Sequence, residues 1–449
     1  MKRGATLKLE RIVIVLLSAV FIIVSLAIAL GRDRADIPTS VTDDTPVSTM
    51  DTTVNDPPAT SETTTEEPEI TEPSQTEPSQ LAETPTEPPA SEAEPEPEYP
   101  IDATVRICIG GDTSIDGEFA DVCYDKGIDY PWRQVSEILN AADLSILNLE
   151  TCVSDAGVSE KKEGFGFRTP PEMLEGFVDA GIDMVNLANN HVRDFGYDAL
   201  LATFDNLEAY GIDYFGAGRD LNQAGGLVIK EVNGVKIGFT GCNRVWLTDD
   251  CEAAEGHAGV NQVHSLNKPS TQAYLERIRE YDSQVDVLIC FMHYGTEEVF
   301  EVTSYQEDMS RALIDNGVDI FVGGHSHTLQ PIEFYKEKLI IYSIGNFIFW
   351  HVDDDIDGLS AIFDITVDRE GFVSLKLHPV FIKRYRANLV EKGSDRYDQI
   401  IALSNTLCNP YGLAFDEDGN MIEYVPPLPE ETVATDMTDT IAETEIIPE

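Results

Sequence analysis

Basic residues are scarce in this chain. Its 449 residues include 30 Lys and Arg against 81 Asp and Glu, which gives a formal net charge of −51. The phosphates of nucleic acids would be repelled by so acidic a protein. The composition therefore argues against nucleic acid as a partner.

The acidic residues are concentrated in two segments that lack Lys and Arg altogether. Residues 35–100 contain 17 acidic residues and 13 of the 24 prolines, and residues 426–449 contain seven acidic residues. Such segments cannot bury enough apolar surface to offset the entropy lost on ordering. We expect a disordered Pro/Thr/Glu-rich linker at 35–100, a disordered acidic tail at 426–449, and one folded domain at 101–425.

Cysteine occurs seven times but never as a C-x-x-C pair. Cys108 and Cys290 lie inside apolar runs, where a small core residue is expected more than a ligand. Outside the cell, Cys242 and Cys251 could form a disulfide, although spacing cannot establish a pairing. The odd number leaves at least one thiol unpaired or intermolecular.

One long apolar run occurs near the N-terminus. Residues 12–30 carry no charge and are numerous enough to span a bilayer as a helix. Basic residues are more frequent before this run than after it, which places the N-terminus inside the cell. A cleaved signal peptide is the alternative, but the run is longer than a usual signal core and no clear A-x-A site follows. We expect residues 1–34 to form a basic tip and a single-pass membrane anchor, with the domain on the extracellular side.

Apolar strand-like runs alternate with helical patterns across residues 101–425, which is typical of an α/β fold. The patterns predict helices at residues 131–141, 171–180, 196–210, 270–281 and 304–316. They predict hairpins at residues 226–240, 332–344 and 359–380, the first around Asn233-Gly234, a strong hairpin signal. Together these elements predict mixed sheets in a two-sheet sandwich covered by helices.

Five short apolar runs are each followed by residues that commonly bind metals. They are residues 105–109 before Asp112, 144–147 before Glu150, 184–188 before Asn190 and His191, 287–292 before His293, and 318–322 before His325 and His327. In an open parallel sheet, functional groups gather outside the carboxyl ends of the strands. The sequence therefore predicts one metal site assembled from five strand ends.

Carboxylate, amide oxygen and imidazole together suit divalent ions such as Mn, Zn or Fe. A carboxylate shared by two ions holds them about 3.5–4 Å apart, a spacing used to activate water and to clamp a phosphoryl group. We therefore expect two divalent ions. Their expected ligands are Asp112 on the first ion, Glu150 between the ions, Asn190 and His293 on the second, and His325 and His327 with one ion each.

Two further residues are candidates for contact with a substrate. His191 follows the expected ligand Asn190 directly, so we expect it to face the substrate and act as a general acid or orient an oxyanion. Arg168 either holds a phosphate or carboxylate group or forms a structural salt bridge. An acidic run at residues 353–355, next to His351, is interpreted as a solvated loop rather than a second cation site.

The folded region resembles the CapA family of poly-γ-glutamate capsule biosynthesis proteins, within the calcineurin-like metallophosphoesterase superfamily. The segments that carry the resemblance are Gly111-Asp112, Asn148-Leu149-Glu150, Phe167-Arg168-Thr169-Pro170, Leu187 to His191 with Asp194 and Gly196, His293-Tyr294-Gly295 with Glu297, Gly324 to His327 with Gln330, and Ser343 to Phe347. They occur in the family's order across residues 105–349. The resemblance implies a four-layer αββα fold and a dinuclear metal centre at the strand ends.

The chain also departs from the wider superfamily, whose first motif is usually Asp-x-His and whose bridging residue is usually Asp. Here Ser114 occupies the histidine position and Glu150 the bridging position. Two function classes follow. One is a membrane-anchored hydrolase that acts on a phosphoester or on an amide in an anionic polymer. The other is an accessory subunit of a capsule-synthesis complex that binds or exports poly-γ-glutamate, or another surface polymer, without turnover.

Overall fold

The computed structural model describes residue 100 and residues 103–160, 166–245, 250–349 and 358–424. The predictions for the membrane anchor, the linker up to residue 99, the acidic tail and the run at 353–355 lie outside these residues. No helix within the described ranges is both long and apolar enough to span a membrane.

The described residues form strands and helices in alternation along the chain. The strands are β1 (Val105–Thr113), β2 (Leu144–Leu149), β3 (Cys152–Val153), β4 (Arg168–Thr169), β5 (Met184–Asn186), β6 (Asp213–Phe215), β7 (Ala217–Gly218), β8 (Val228–Val232), β9 (Val235–Asn243), β10 (Gly259–Val260), β11 (Val287–His293), β12 (Ile320–Gly324), β13 (Ile332–Tyr335), β14 (Lys338–Ile341), β15 (Asn346–Ile348), β16 (Leu359–Asp368), β17 (Gly371–Ile382), β18 (Ala387–Leu389), β19 (Leu413–Phe415) and β20 (Met421–Tyr424). The α-helices are α1 (Gly117–Lys126), α2 (Ser136–Asn140), α3 (Leu174–Ala180), α4 (Tyr197–Tyr210), α5 (Leu221–Ala224), α6 (Pro269–Asp282), α7 (Ser304–Asp315) and α8 (Asp395–Cys408).

Two large mixed sheets organise the fold. The first has eight strands in the order β18-β17-β16-β1-β2-β5-β6, with β15 also paired to β1. The second has six strands in the order β13-β14-β12-β11-β9-β8. Strands β1, β2, β5 and β6 are parallel to one another, as are β9, β11, β12 and β14. The prediction of mixed sheets is confirmed.

The central parallel strands β2, β5, β11 and β12 are buried along their whole length. They are covered on both faces, which explains why they read as continuous apolar runs. In β11, Ile289 and Phe291 join a core shared with the first sheet, whereas Cys290 and Met292 pack with α6 and α7. The outer face of the first sheet packs in the same way against α1 to α4. The two sheets therefore pack face to face, and helices cover both outer surfaces.

Most of the predicted local elements are confirmed, and their ends follow from local chemistry. Gly181 and Gly211 end α3 and α4 in the left-handed conformation that glycine adopts without strain. The hairpin of β8 and β9 turns at Asn233 and Gly234, which both have positive φ. The helix predicted at residues 131–141 is shorter than expected, because the chain forms turns up to Val135 and only Ser136–Asn140 is α-helical.

All seven cysteines are buried and free. Cys242 lies beside Cys290 and Tyr274 in the core of the second sheet, while Cys251 interacts with Arg193. The suggested pairing of Cys242 with Cys251 therefore does not form, because the two thiols lie in different surroundings.

Candidate metal centre

The candidate site lies where the carboxyl ends of the two sheets meet. Within the first sheet, Asp112 pairs in register with Asn148 of β2 and with Asn346 of β15. Within the second, His293 pairs in register with Gly324. A Cβ on Gly324 would stand 3.0 Å from the Asp112 carboxylate and 3.5 Å from His293 Nδ1. A side chain at this point would therefore crowd the Asp112 carboxylate, because the two sheets approach each other there.

Glu150 occupies the centre of the site. Its side chain is completely buried, and its Oε1 lies 3.2 Å from His293 Nε2 and 3.7 Å from His191 Nε2. No described residue donates a hydrogen bond to either carboxylate oxygen. A buried carboxylate is normally satisfied by several donors or by a metal ion. Glu150 is therefore the residue whose surroundings most require an additional cation.

Two groups of ligand-type residues share Glu150. One group is Glu150 with His293 and His325, and the other is Glu150 with Asp112 and His327. The ligand atoms in each group lie within 4.8 Å of one another. Two donors on one ion are at most about 4.2 Å apart when each bond is about 2.1 Å. Small side-chain movements would therefore bring each group around one ion.

The pair formed by Asp112 and His327 is strongly polarised. His327 Nδ1 lies 3.2 Å from Asp112 Oδ2 and donates to Asn346 Oδ1 at 2.9 Å. Burial disfavours the charged form of both side chains. The interaction with His327 nevertheless holds the pKa of Asp112 at about 2, and Glu150, Asp112 and Asn346 raise the pKa of His327 to about 10. Without a metal ion, a protonated His327 supplies part of the positive charge that this site requires.

His325 has different surroundings from its neighbour. Burial, together with the nearby His293 and His327, lowers its pKa well below the usual value. Its Nδ1 is buried and has no hydrogen-bond partner among the described residues. The turn holds His325 at φ 88° and His327 at φ 57°, both in the left-handed region. A neutral imidazole with a buried free nitrogen is suited to binding a metal ion.

Asn189 and Asn190 are adjacent but have different roles. The side-chain oxygen of Asn189 accepts hydrogen bonds from the backbone of His191 and Val192, so it supports the turn. In contrast, Asn190 Oδ1 is buried and has no hydrogen-bond partner in the described part of the chain. Asn190 thus keeps the free amide oxygen that the sequence assigned to a metal ligand.

His191 is held in one orientation from two sides. Its Nδ1 hydrogen-bonds to Asp194 Oδ2 at 2.7 Å, and its ring stacks on Phe167 at 4.2 Å between centroids. Asp194 Oδ2 also accepts from the backbone N–H of Phe167, at 2.9 Å. With Nδ1 engaged, Nε2 is the nitrogen that faces Glu150. This arrangement suits a histidine that transfers protons at the edge of the centre.

Arg168 lies on β4, next to Phe167. Its guanidinium donates to the carbonyls of Ala156 and Gly157 at 3.2 and 3.1 Å and stacks over the ring of Phe195 at 3.7 Å. Its Nε is buried and has no hydrogen-bond partner in the ranges that the structure describes. Backbone carbonyls and an aromatic ring hold the guanidinium, and Arg168 forms no salt bridge among the described residues. Its role in binding a phosphate or carboxylate group stays a prediction.

Several residues that complete the site were not assigned roles from the sequence. Asn148 Nδ2 donates to Asp112 Oδ1 at 2.7 Å and lies 3.3 Å from His293 Nδ1, so it links ligands from both sheets. Asp194 orients His191, and Asn346 holds His327. Glu297 lies within 4.8 Å of ligand atoms of His325 and His327. The first two could have been found by asking which polar residues follow a ligand or interrupt an apolar strand.

The free polar atoms at this position fit a divalent metal ion. Glu150 Oε1 and Oε2, His293 Nε2 and His325 Nδ1 are all buried without hydrogen-bond partners among the described residues. Oxygen and imidazole donors together suit borderline divalent ions. Ser114, which stands where an Asp-x-His motif would place histidine, is also buried and its Oγ has no hydrogen-bond partner there.

Comparison with known proteins identifies a family and several related sequences. Residues 106–351 match the family described as "Bacterial capsule synthesis protein PGA_cap". The chain is 27% identical over 296 residues to the "PGA biosynthesis protein CapA" of Bacillus subtilis, covering 65% of this chain and 75% of that one. It is 27% identical over 243 residues to the "Capsule biosynthesis protein CapA" of Bacillus anthracis, covering 53% and 58% of the two chains.

Among solved structures, the NAD nucleotidase NadN of Haemophilus influenzae aligns with a TM-score of 0.36 and 11% identity, over 67% of this chain and 55% of that one.

The family match spans more than half of the 449 residues and includes all the ligand-type residues described above. The chain therefore belongs to the bacterial capsule synthesis protein family PGA_cap.

Proposed function

We propose that this protein takes part in the synthesis or export of poly-γ-glutamate or another capsular polymer, and that it does so as a hydrolase dependent on two divalent metal ions. Its family supports the biological role, and a metallophosphoesterase-type arrangement of two sheets and outer helices agrees with it. One observation carries the chemical part. The buried Glu150 carboxylate is shared by two groups of ligands and lacks hydrogen-bond donors among the described residues.

In this proposal the two groups hold one ion each. Asp112 and His327 would bind the first ion, His293 and His325 would bind the second, and Glu150 would bind both. Asn190, whose buried amide oxygen has no partner among the described residues, would complete the second group. When bound, two divalent ions supply an activated water molecule and polarise the bond to be broken. The metal could be Mn, Zn or Fe, since the donor set suits each of them.

The chain itself supplies the proton-transfer group. The hydrogen bond that Asp194 accepts from His191 Nδ1–H and the stacking on Phe167 fix His191 with Nε2 directed to the centre. His191 would then protonate the leaving group of a phosphoester, or of an amide in an anionic polymer. Arg168 would border the same pocket, where its cationic group favours an anionic substrate.

The proposal is tested by metal analysis and by turnover. The purified full-length protein is expected to contain bound Mn, Zn or Fe, and to hydrolyse either a phosphoester from a broad panel or poly-γ-glutamate. A chelator should abolish the turnover, and adding back the divalent ion should restore it. A protein that binds no divalent metal would contradict the hydrolase proposal.

A non-catalytic role is the second candidate, and one observation favours it. Ser114 replaces an imidazole beside the first ion, which leaves the Asp112–His327 group with fewer strong ligands. An accessory subunit that binds polymer without turnover would need only the fold and the charge pattern. Binding of labelled poly-γ-glutamate by a metal-loaded protein that turns over nothing would favour this role.

We also propose that the domain faces the outside of the cell on an uncleaved N-terminal anchor. The charge bias around residues 12–30 supports this orientation. Protease added to intact cells should remove the domain and leave the N-terminal peptide with the membrane. A soluble mature chain that starts near residue 32 would contradict the anchor.

A further inference from the structure

The loop that follows β11 is fastened to the His-x-His turn. The backbone N–H of Glu298 donates to the Ser326 carbonyl at 2.9 Å. Val299 offers its carbonyl to Gln330 Nε2 at 2.8 Å and to Thr328 Oγ1 at 3.2 Å. These hydrogen bonds attach the loop to the chain on both sides of His327. The position of the neighbouring Glu297 is therefore set by the backbone, although its side chain is exposed.

Glu297 faces the outer nitrogen of His325. Glu297 Oε1 lies 4.0 Å from His325 Nε2. The other nitrogen, Nδ1, is buried and has no hydrogen-bond partner within the described residues. The His325 ring also packs edge-on against the His293 ring, with 4.8 Å between centroids. The two nitrogens of His325 thus have different surroundings, because Nδ1 is buried without a partner and Nε2 faces a carboxylate at the rim.

A neutral imidazole has one N–H group and one lone pair. An imidazole that binds a metal usually donates its other N–H to a carboxylate or a carbonyl, which fixes the tautomer and increases the basicity of the ligand. For His325, the buried Nδ1 fits the metal-facing position, and Nε2 fits the donor position. Glu297 is the carboxylate within reach of that donor.

We propose that Glu297 is a positioning residue that accepts a hydrogen bond from His325 Nε2–H and so directs the Nδ1 lone pair into the metal centre. The separation of 4.0 Å must shorten by about 1 Å to reach a normal hydrogen bond. The Glu297 side chain is 61% exposed, so it has the freedom to make this movement. The inference rests on the proposed function, because it assigns the metal site to His325.

Metal affinity in three variants of the full-length protein tests the assignment. Glu297→Ala removes the acceptor, and its affinity for Zn²⁺, measured against a competing chelator, is expected to fall about 10- to 100-fold. Glu297→Gln keeps an acceptor oxygen without the charge, so its loss should be clearly smaller. Glu298→Gln removes one negative charge from the adjacent exposed residue, just as Glu297→Gln does at position 297. The metal affinity of Glu298→Gln should equal that of the wild type.

The variants separate this role from its main alternative. If Glu297 were itself a metal ligand, the Gln variant would lose as much affinity as the Ala variant, since a neutral amide is a poor replacement for a carboxylate. Equal losses in these two variants would overturn the positioning role, and so would an unchanged affinity in Glu297→Ala.

A second readout does not depend on metal. In the metal-free protein, ¹⁵N NMR is expected to show His325 protonated at Nε2, with the Nε2–H proton further downfield in the wild type than in Glu297→Ala. Protonation at Nδ1, or an Nε2–H resonance unaffected by the substitution, would overturn the inference. A wild type that binds none of Zn²⁺, Mn²⁺ and Fe²⁺ contradicts the proposed function instead, and the tautomer still decides the role of Glu297.

Discussion

Asp116 is a buried carboxyl group that should make the stability of this protein depend on pH. It precedes α1, is 9% exposed, and its side chain makes no capping hydrogen bond to the helix. Burial, with a smaller contribution from the charge of Asp194, raises its pKa from 3.8 to about 7, against the opposing effect of Ser114. The neutral acid is therefore favoured in the folded protein at pH values where the unfolded chain has a carboxylate.

The sign and size of the effect follow from this difference. Because the folded pKa is raised, the stabilising contribution is fully present below pH 3.8 and is lost as the pH rises through 7. A shift of about three units corresponds to about 4 kcal/mol in total, since each unit is about 1.4 kcal/mol. About 2.5 kcal/mol of that loss falls between pH 5 and pH 8.

Replacement of Asp116 by Asn removes the ionisation with little change in shape. The free energy of unfolding of Asp116→Asn, minus that of the wild type, should therefore increase by about 2.5 kcal/mol between pH 5 and pH 8. Urea denaturation of the full-length protein in the presence of a chelator, followed by tryptophan fluorescence, to which the buried Trp132 contributes, measures it. The measurements stop at pH 5 because the protein would tend to precipitate near its isoelectric point of about 4.2.

Asp125 provides the matched control for this measurement. It is an exposed residue of the same helix, so Asp125→Asn removes the same charge without relieving a buried carboxyl. Its difference from the wild type should stay nearly constant over the same pH range. If the gain of Asp116→Asn were also independent of pH, Asp116 would not be a buried neutral acid, and the reasoning would fail.

Other predictions concern the metal centre and the core. His327→Ala should lower bound metal in the purified protein, whereas His378→Ala, which alters a histidine paired with Asp364 away from the centre, should leave it unchanged; elemental analysis compares the two. His191→Ala should retain nearly all of its metal and lose any hydrolysis by about 10²- to 10⁴-fold, and a metal content that falls together with activity would argue for a ligand instead. Phe177→Ala should lower the free energy of unfolding by about 3–5 kcal/mol in a denaturant titration, because a fully buried ring is lost from the core of the first sheet.

The features that could be predicted from the sequence are those with a local chemical cause. The Asn233-Gly234 turn and the glycine that ends α4 were predicted because positive φ is accessible to those residues. The strand ends that form the site were predicted because the apolar runs before them are buried on both faces. The family assignment rests on short motifs that occur in the family's order along the chain, and it is confirmed by the match over residues 106–351.

The features that could not be predicted depend on contacts between distant parts of the chain. Strand β15 adds beside β1 through the pairing of Asn346 with Asp112, which no local pattern indicates. Asn148 stands out in the sequence as a polar residue inside an apolar strand, but its link between the two sheets becomes visible only when His293 is placed next to it. Helix α8 is a different case, because it was missed although a local signal exists. Ser394 caps this helix, and apolar residues follow at helical spacing.

If His325 binds a metal ion as proposed, the left-handed turn that presents it imposes a conflict between stability and function. A residue with a Cβ at φ 88° is strained by about 1 kcal/mol or more, whereas glycine is not. His325→Gly and His325→Ala both remove the imidazole, yet the Gly variant should be the more stable by about 1 kcal/mol. A lineage that lost its need for metal would therefore be free to drift towards glycine here, and the strain would mark those members of the family in which the site is still under selection.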